Sequence, residues 1–214
     1  KKNYHIVFTG KIDGIISNTL NPKTLSIGSH DIEYEYTNSC GTSTANKTFE
    51  IFDIPDVVLS EMGPFCLNDS AVVLNNGTPS NGLFSIADDF VNLFTPSSYG
   101  AGSVQVDYTY TDSNGCLNKD SIDVVVNSLP SVDAGNDKII CFGDTVVLEG
   151  NGANSYIWNN GVIDGDNFIP NSTNSYVLVG TDANLCRNSD TVLVVVNSLP
   201  IVNAGIDQSI CFGD

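Results

Sequence analysis

The chain has 214 residues, 25 of them acidic and 8 basic, for a formal charge of -17 and an isoelectric point near 4.1. That balance excludes the basic footprint that nucleic-acid binding needs and disfavours docking on an anionic membrane, while like-charged modules stay soluble and apart. Apolar residues reach 41%, enough for packed cores, yet no apolar run approaches the roughly 20 residues that span a bilayer.

The sequence opens at Lys1 with no charged-then-apolar leader and stops at Asp214 in mid-motif, as expected of a window on a longer mature protein. In chain order, the first landmark is the alternating Tyr34-Glu35-Tyr36-Thr37, followed by Cys40. Next come Ile54-Pro55 and Cys66-Leu67-Asn68-Asp69, then Tyr108-Thr109-Tyr110-Thr111-Asp112, the turn Ser113-Asn114-Gly115 and Cys116. Asn127-Ser128-Leu129-Pro130 and Cys141-Phe142-Gly143-Asp144 follow, and both recur 70 residues later as Asn197-Ser198-Leu199-Pro200 and Cys211-Phe212-Gly213-Asp214. Pro55 to Cys66, Pro130 to Cys141 and Pro200 to Cys211 are each 11 residues. Cys40, Cys116 and Cys186 form a second series, 15, 14 and 14 residues ahead of the next proline. Matched spacings of this kind mark a repeat architecture.

The repeats divide the chain into residues 1–54 (start missing), 55–129, 130–199 and 200–214, the beginning of a further module. In the third, strands are expected at 137–141, 145–150, 155–159, 166–169, 174–181 and 190–197, separated by turns such as Asn159-Asn160-Gly161 and Asp164-Gly165-Asp166. Trp158 reads as a core residue of the third strand. No segment keeps a 3.6-residue apolar period, so the expected class is all-β, a tandem array of β-sandwich modules with almost no helix. Pro130 and Pro200 restrict each junction and favour a semi-rigid rod.

Six cysteines without a C-x-x-C pair do not fit zinc knuckles, and His5 and His30 lie far from the complete modules. The economical pairing is one early and one late cysteine per module: Cys66 with Cys116, and Cys141 with Cys186, leaving Cys40 and Cys211 to partners outside the sequence. Disulfides place the protein in an oxidising, extracytoplasmic compartment.

No nucleophile elbow, P-loop or histidine metal motif occurs, so no enzyme activity is expected. Oxygen-bearing side chains at the poles, Asp133, Asp137 and Asp182, leave two readings: calcium ligands, or turn formers that bind their own backbone, the latter favoured. No other cofactor is implied.

Val132-Asp133-Ala134-Gly135-Asn136-Asp137 with Ile140-Cys141, Tyr156-Ile157-Trp158-Asn159-Asn160-Gly161 and Thr181-Asp182-Ala183-Asn184-Leu185-Cys186 resemble the Ig-like/PKD-like repeats of very large Bacteroidota surface proteins. The second module looks like a sister class, with Phe94-Thr95-Pro96 and Tyr99-Gly100-Ala101-Gly102. Asn184-Leu185-Cys186 stands where relatives often carry Asn-Gly-Cys, which is expected to change the turn. The resemblance implies a structural or adhesive stalk segment of an extracellular, outer-membrane-associated protein, as in SprB-like gliding-motility adhesins exported by type IX secretion. Its partners would be neighbouring modules of the chain, and surface polysaccharide or other cells. The alternative it leaves open is a carbohydrate-binding or spacer module of a secreted polysaccharide-degrading enzyme, which would need an exposed aromatic platform such as Trp158 with Tyr156. Four tripeptides also resemble the acceptor motif of Bacteroidota O-glycosylation. They offer Ser70, Ser121, Thr145 and Thr191, each expected where a loop enters a strand.

Overall fold

The computed structural model describes residues 6–209 and 212. The chain is all-β: the two helical segments among the described residues are a 3-10 turn at Pro22–Thr24 and a four-residue helix at Pro96–Tyr99. Two compact units result, one of Lys1–Glu61, Val73–Phe94 and Gln105–Asp123, the other of Met62–Val72, Thr95–Val104 and Val124–Asp214. Among the described residues no helix is long and apolar enough to cross a membrane.

In the first unit, four strands form a sheet in the order Ile15–Leu20, Ile6–Ile12, Gly28–Asn38, Gly41–Ile51. Its long hairpin keeps register from Gly28 opposite Ile51 to Asn38 opposite Gly41, with Cys40 in the turn. Buried His30 places Nδ1 2.6 Å from Asp13 Oδ2 and Nε2 2.7 Å from the Ser26 carbonyl. Acceptors on both sides suit the charged ring, and Asp13 above all raises its pKa. From the second repeat this unit also takes Leu83–Ile86, paired antiparallel through Phe84 opposite Tyr108. The Phe84 and Tyr108 rings lie 4.6 Å apart. Gly82 donates its N–H to the Tyr108 hydroxyl at 2.7 Å; a Cβ there would sit 2.4 Å from the ring, so this approach requires glycine.

The second unit holds the third repeat. All six strands expected there form: Lys138–Cys141, Val146–Val147, Ser155–Trp158, Asn167–Phe168, Asn174–Thr181 and Arg187–Asn197. The last starts three residues earlier than the sequence suggests. One layer is a four-stranded sheet ordered Lys138–Cys141, Arg187–Asn197, Asn174–Thr181, Ser155–Trp158, and Val146–Val147 with Asn167–Phe168 form a two-stranded sheet. Alternation along Asn174–Thr181 turns Tyr176 and Leu178 inward to meet Trp158, Leu148, Val192 and Val194 in one core. Trp158 is buried, as its strand position implies, and its indole N–H donates to Asp164 Oδ1 at 2.8 Å.

One pairing is not visible in the sequence pattern. The early strand Lys138–Cys141 runs parallel to the last strand, with Cys141 opposite Asn197. In the second repeat Phe65–Cys66 does the same against the end of Leu117–Asn127, with Cys66 opposite Asn127.

Candidate functional site

The parallel register decides where the thiols lie. Cys186 directly precedes Arg187, the first residue of the last strand, while Cys141 sits opposite its final residue, Asn197. Eleven residues of strand separate these levels, about 36 Å, far beyond the roughly 7 Å between Cα atoms that a disulfide tolerates. The expected Cys141–Cys186 bond is therefore corrected, and Cys66–Cys116 with it, since Cys66 faces Asn127 while Cys116 precedes Leu117. The bond that forms is Cys66–Cys186, with Cα atoms 5.5 Å apart and a sequence separation of 120. It joins the second repeat to the third, and both cysteines belong to the second unit. Cys40, Cys116 and Cys141 are free thiols, and Cys211 lies outside the described residues, as does His5.

Around this bond the backbone is held by side chains. Cys66 donates its N–H to Asp69 Oδ2 at 2.7 Å, and Leu67 donates to the Asn127 carbonyl at 3.0 Å. Asn68 Nδ2 reaches across to the Arg187 carbonyl at 3.1 Å. On the other side Asp182 Oδ1 accepts from Asn184 and Cys186. Leu185 takes φ 66° there, as Gly115 takes 82° in the second repeat, so leucine keeps the turn rather than changing it, at a strain of roughly 1–2 kcal/mol. Cys186 is fully buried.

The start of each repeat is pinned in the same way. Asn188 Nδ2 donates to the Pro130 carbonyl at 3.0 Å and Asp190 Oδ2 accepts from Ala134 at 2.8 Å. Asn118 donates to the Pro55 carbonyl at 2.9 Å and Asp120 accepts from Leu59 at 2.8 Å. Asp190 and Asp120 occupy equivalent places in the two repeats. These carboxylates give the aspartate of the recurring Asp-Ser/Thr tripeptides a role in the fold. Ser70 and Thr145 lie just ahead of strands, as expected, but Ser121 and Thr191 lie within the last strands, whose early start moved the loop boundary; all four are exposed.

The calcium candidates each accept a hydrogen bond from the backbone. Asp133 accepts from Gly135, Asp137 from Leu193, and Asp182 from the turn. Among the described residues no group of three or more His, Cys, Asp or Glu is arranged to hold a metal ion. Trp158 and Tyr156 do not form an exposed aromatic pair: Trp158 is buried, and the Tyr156 hydroxyl donates to the Ala153 carbonyl at 2.7 Å. In the first unit an open groove of about 520 Å³ has Leu83, Phe90, Asp107 and Lys119 in its walls. Lys119 Nζ lies 3.4 Å from Asp107 Oδ2 in this groove.

No protein family matches the chain, and no curated protein matches it. Among solved structures, hemolin, an insect immune protein, is similar at 14% identity over 84% of this chain, with a TM-score of 0.33; the chain spans 59% of that structure. A calcium-stabilised adhesin with which an Antarctic bacterium binds ice is 11% identical over 91% of this chain and 67% of its own, at 0.33. A 1.5-MDa bacterial ice-binding adhesin is 14% identical over 87% of this chain and 85% of its own, at 0.32.

The N–H groups of Leu59 and then Ser121 hold Asp120 below the ordinary aspartate range, and those of Ala134 and then Thr191 do so for Asp190. A depressed folded pKa contributes stability above the unfolded value, about 3.9, and that contribution is lost as pH falls through the lower folded value. The melting temperature should therefore drop as pH falls from about 5 through the ordinary aspartate value and below it, and the double variant Asp120→Asn, Asp190→Asn should show a shallower drop. Parallel pH profiles for the two proteins would contradict this role.

Proposed function

We propose that this chain is a load-bearing segment of a stalk on a large exported surface protein, structural or adhesive in role, and of the gliding-motility, type IX-exported kind that its repeats resemble. The observation that supports this reading is the Cys66–Cys186 bond. Tension applied to the chain on either side passes from Cys66 directly to Cys186 and bypasses the residues between them. Such a bond costs the unfolded chain about 5 kcal/mol of conformational freedom in the chain-entropy model. Its formation fits an oxidising, extracytoplasmic compartment, and the charge of -17 fits a solvated surface. Module boundaries at Pro55, Pro130 and Pro200 belong to the same reading. So does location at the outer membrane, with neighbouring modules, other cells or surface polysaccharide as partners.

Glycosylation at Ser70, Ser121, Thr145 or Thr191 is part of this proposal, supported by the exposure of all four hydroxyls. Mass spectrometry of the natively exported protein should show a mass above that of the oxidised polypeptide; equality with the bare chain would overturn the glycans alone.

The mechanical claim has its own test. Stretched by its ends, the oxidised chain should conceal the loop closed by the bonded cysteines, whose sequence separation is 120, so reductant should lengthen the fully unfolded contour by about 40 nm at ~3.4 Å per residue. Equal contour lengths with and without reductant would refute it.

A further inference from the structure

Cys141 is presented as Cys66 is, yet it is exposed and unbonded. Cys66 faces Asn127 and Cys141 faces Asn197, each by parallel pairing with the end of its repeat's last strand. Cys141 donates its N–H to Asp144 Oδ2 at 3.0 Å, as Cys66 does to Asp69 at 2.7 Å. Phe142 donates to the Asn197 carbonyl at 2.8 Å, as Leu67 does to Asn127 at 3.0 Å. The opposite pole is matched as well. Cys116 and Cys186 each donate to an aspartate Oδ1, Asp112 or Asp182, at 2.8 Å. Each aspartate N–H returns to its cysteine's carbonyl at 3.0 Å.

Both halves of the Cys66–Cys186 bond therefore exist a second time, without their partners. We infer that Cys141 forms the next rung of a disulfide ladder, bonding the late cysteine of the repeat that Pro200 opens, and that Cys116 receives the early cysteine of the repeat before its own. This deepens the stalk reading and rests on it. The rule is that the early cysteine of one repeat bonds the late cysteine of the next. Among the described cysteines it pairs Cys66 with Cys186 and leaves Cys40, Cys116 and Cys141 unbonded within residues 1–214, and those are the free thiols observed.

Each rung forms by oxidation of two thiols, which lose two protons and two electrons to a disulfide oxidant that is itself reduced to two thiols. One contact cannot repeat: Gly143 stands in the place of Asn68, so the bond from Asn68 to the Arg187 carbonyl has no equivalent at the next junction. There the disulfide carries more of the connection.

The test extends the full chain. Residues 145–199 bearing Leu185→Gly are appended after Asp214, completing the last repeat and giving its late cysteine a distinct mass. The chain is refolded with a glutathione redox pair and mapped without reduction. The expected map links Cys141 to the appended cysteine and Cys66 to Cys186, with Cys40, Cys116 and Cys211 alkylated. An alkylated Cys141 beside an intact Cys66–Cys186 link would overturn the ladder while sparing the stalk reading, as would Cys211 linked to the appended cysteine. Loss of the Cys66–Cys186 link would overturn both. If the hybrid repeat does not fold, a tagged copy of residues 130–199 placed directly after Leu199 is read by the same outcomes, because that repeat is already ordered in this chain.

Discussion

The parallel pairing of a short early strand with the end of a repeat's last strand is the constraint on which the rest depends. In the third repeat it spans Lys138 opposite Val194 to Cys141 opposite Asn197. It fixes the early cysteine at the pole where the chain leaves the repeat, while the late cysteine stays at the pole where the last strand begins. A bond within one repeat is then excluded by length alone. A bond between successive repeats becomes the short one, realised as Cys66–Cys186 at a Cα separation of 5.5 Å. Stapling thus passes from a device that stabilises one small repeat to one that joins successive repeats.

The acidic composition serves the same architecture. Asp69, Asp112, Asp120, Asp144, Asp182 and Asp190 all accept from backbone N–H groups at turns or strand starts. Buried or half-buried amides at strand ends need such acceptors, and a charged acceptor makes the stronger bond. These carboxylates help to hold the poles together, and the cysteines they flank are held in place with them.

Much of the fold was legible because it rests on local signals. The 70-residue recurrence and the alternation of Ser175-Tyr176-Val177-Leu178-Val179 located the strands of the third repeat, and Trp158 proved a core residue. The disulfide pairing was not legible. Spacing says which cysteines are equivalent, but nothing periodic shows which end of the last strand a four-residue strand pairs with, and that pairing places Cys141 about 36 Å from Cys186. The same limit applied to Ser121 and Thr191, assigned to loop ends because the polar starts of Leu117–Asn127 and Arg187–Asn197 resemble turns. Leu185 misled for a different reason: a turn held by Asp182 tolerates a left-handed leucine that local propensity disfavours.

The central claim is that the cysteines bond between repeats rather than within them. A non-reducing peptide map of the 214-residue chain, folded under oxidising conditions and alkylated, tests it most directly. The account predicts a single principal cross-link joining Cys66 to Cys186, with alkylated Cys40, Cys116 and Cys141. Cross-links joining Cys66 to Cys116 and Cys141 to Cys186 would contradict it.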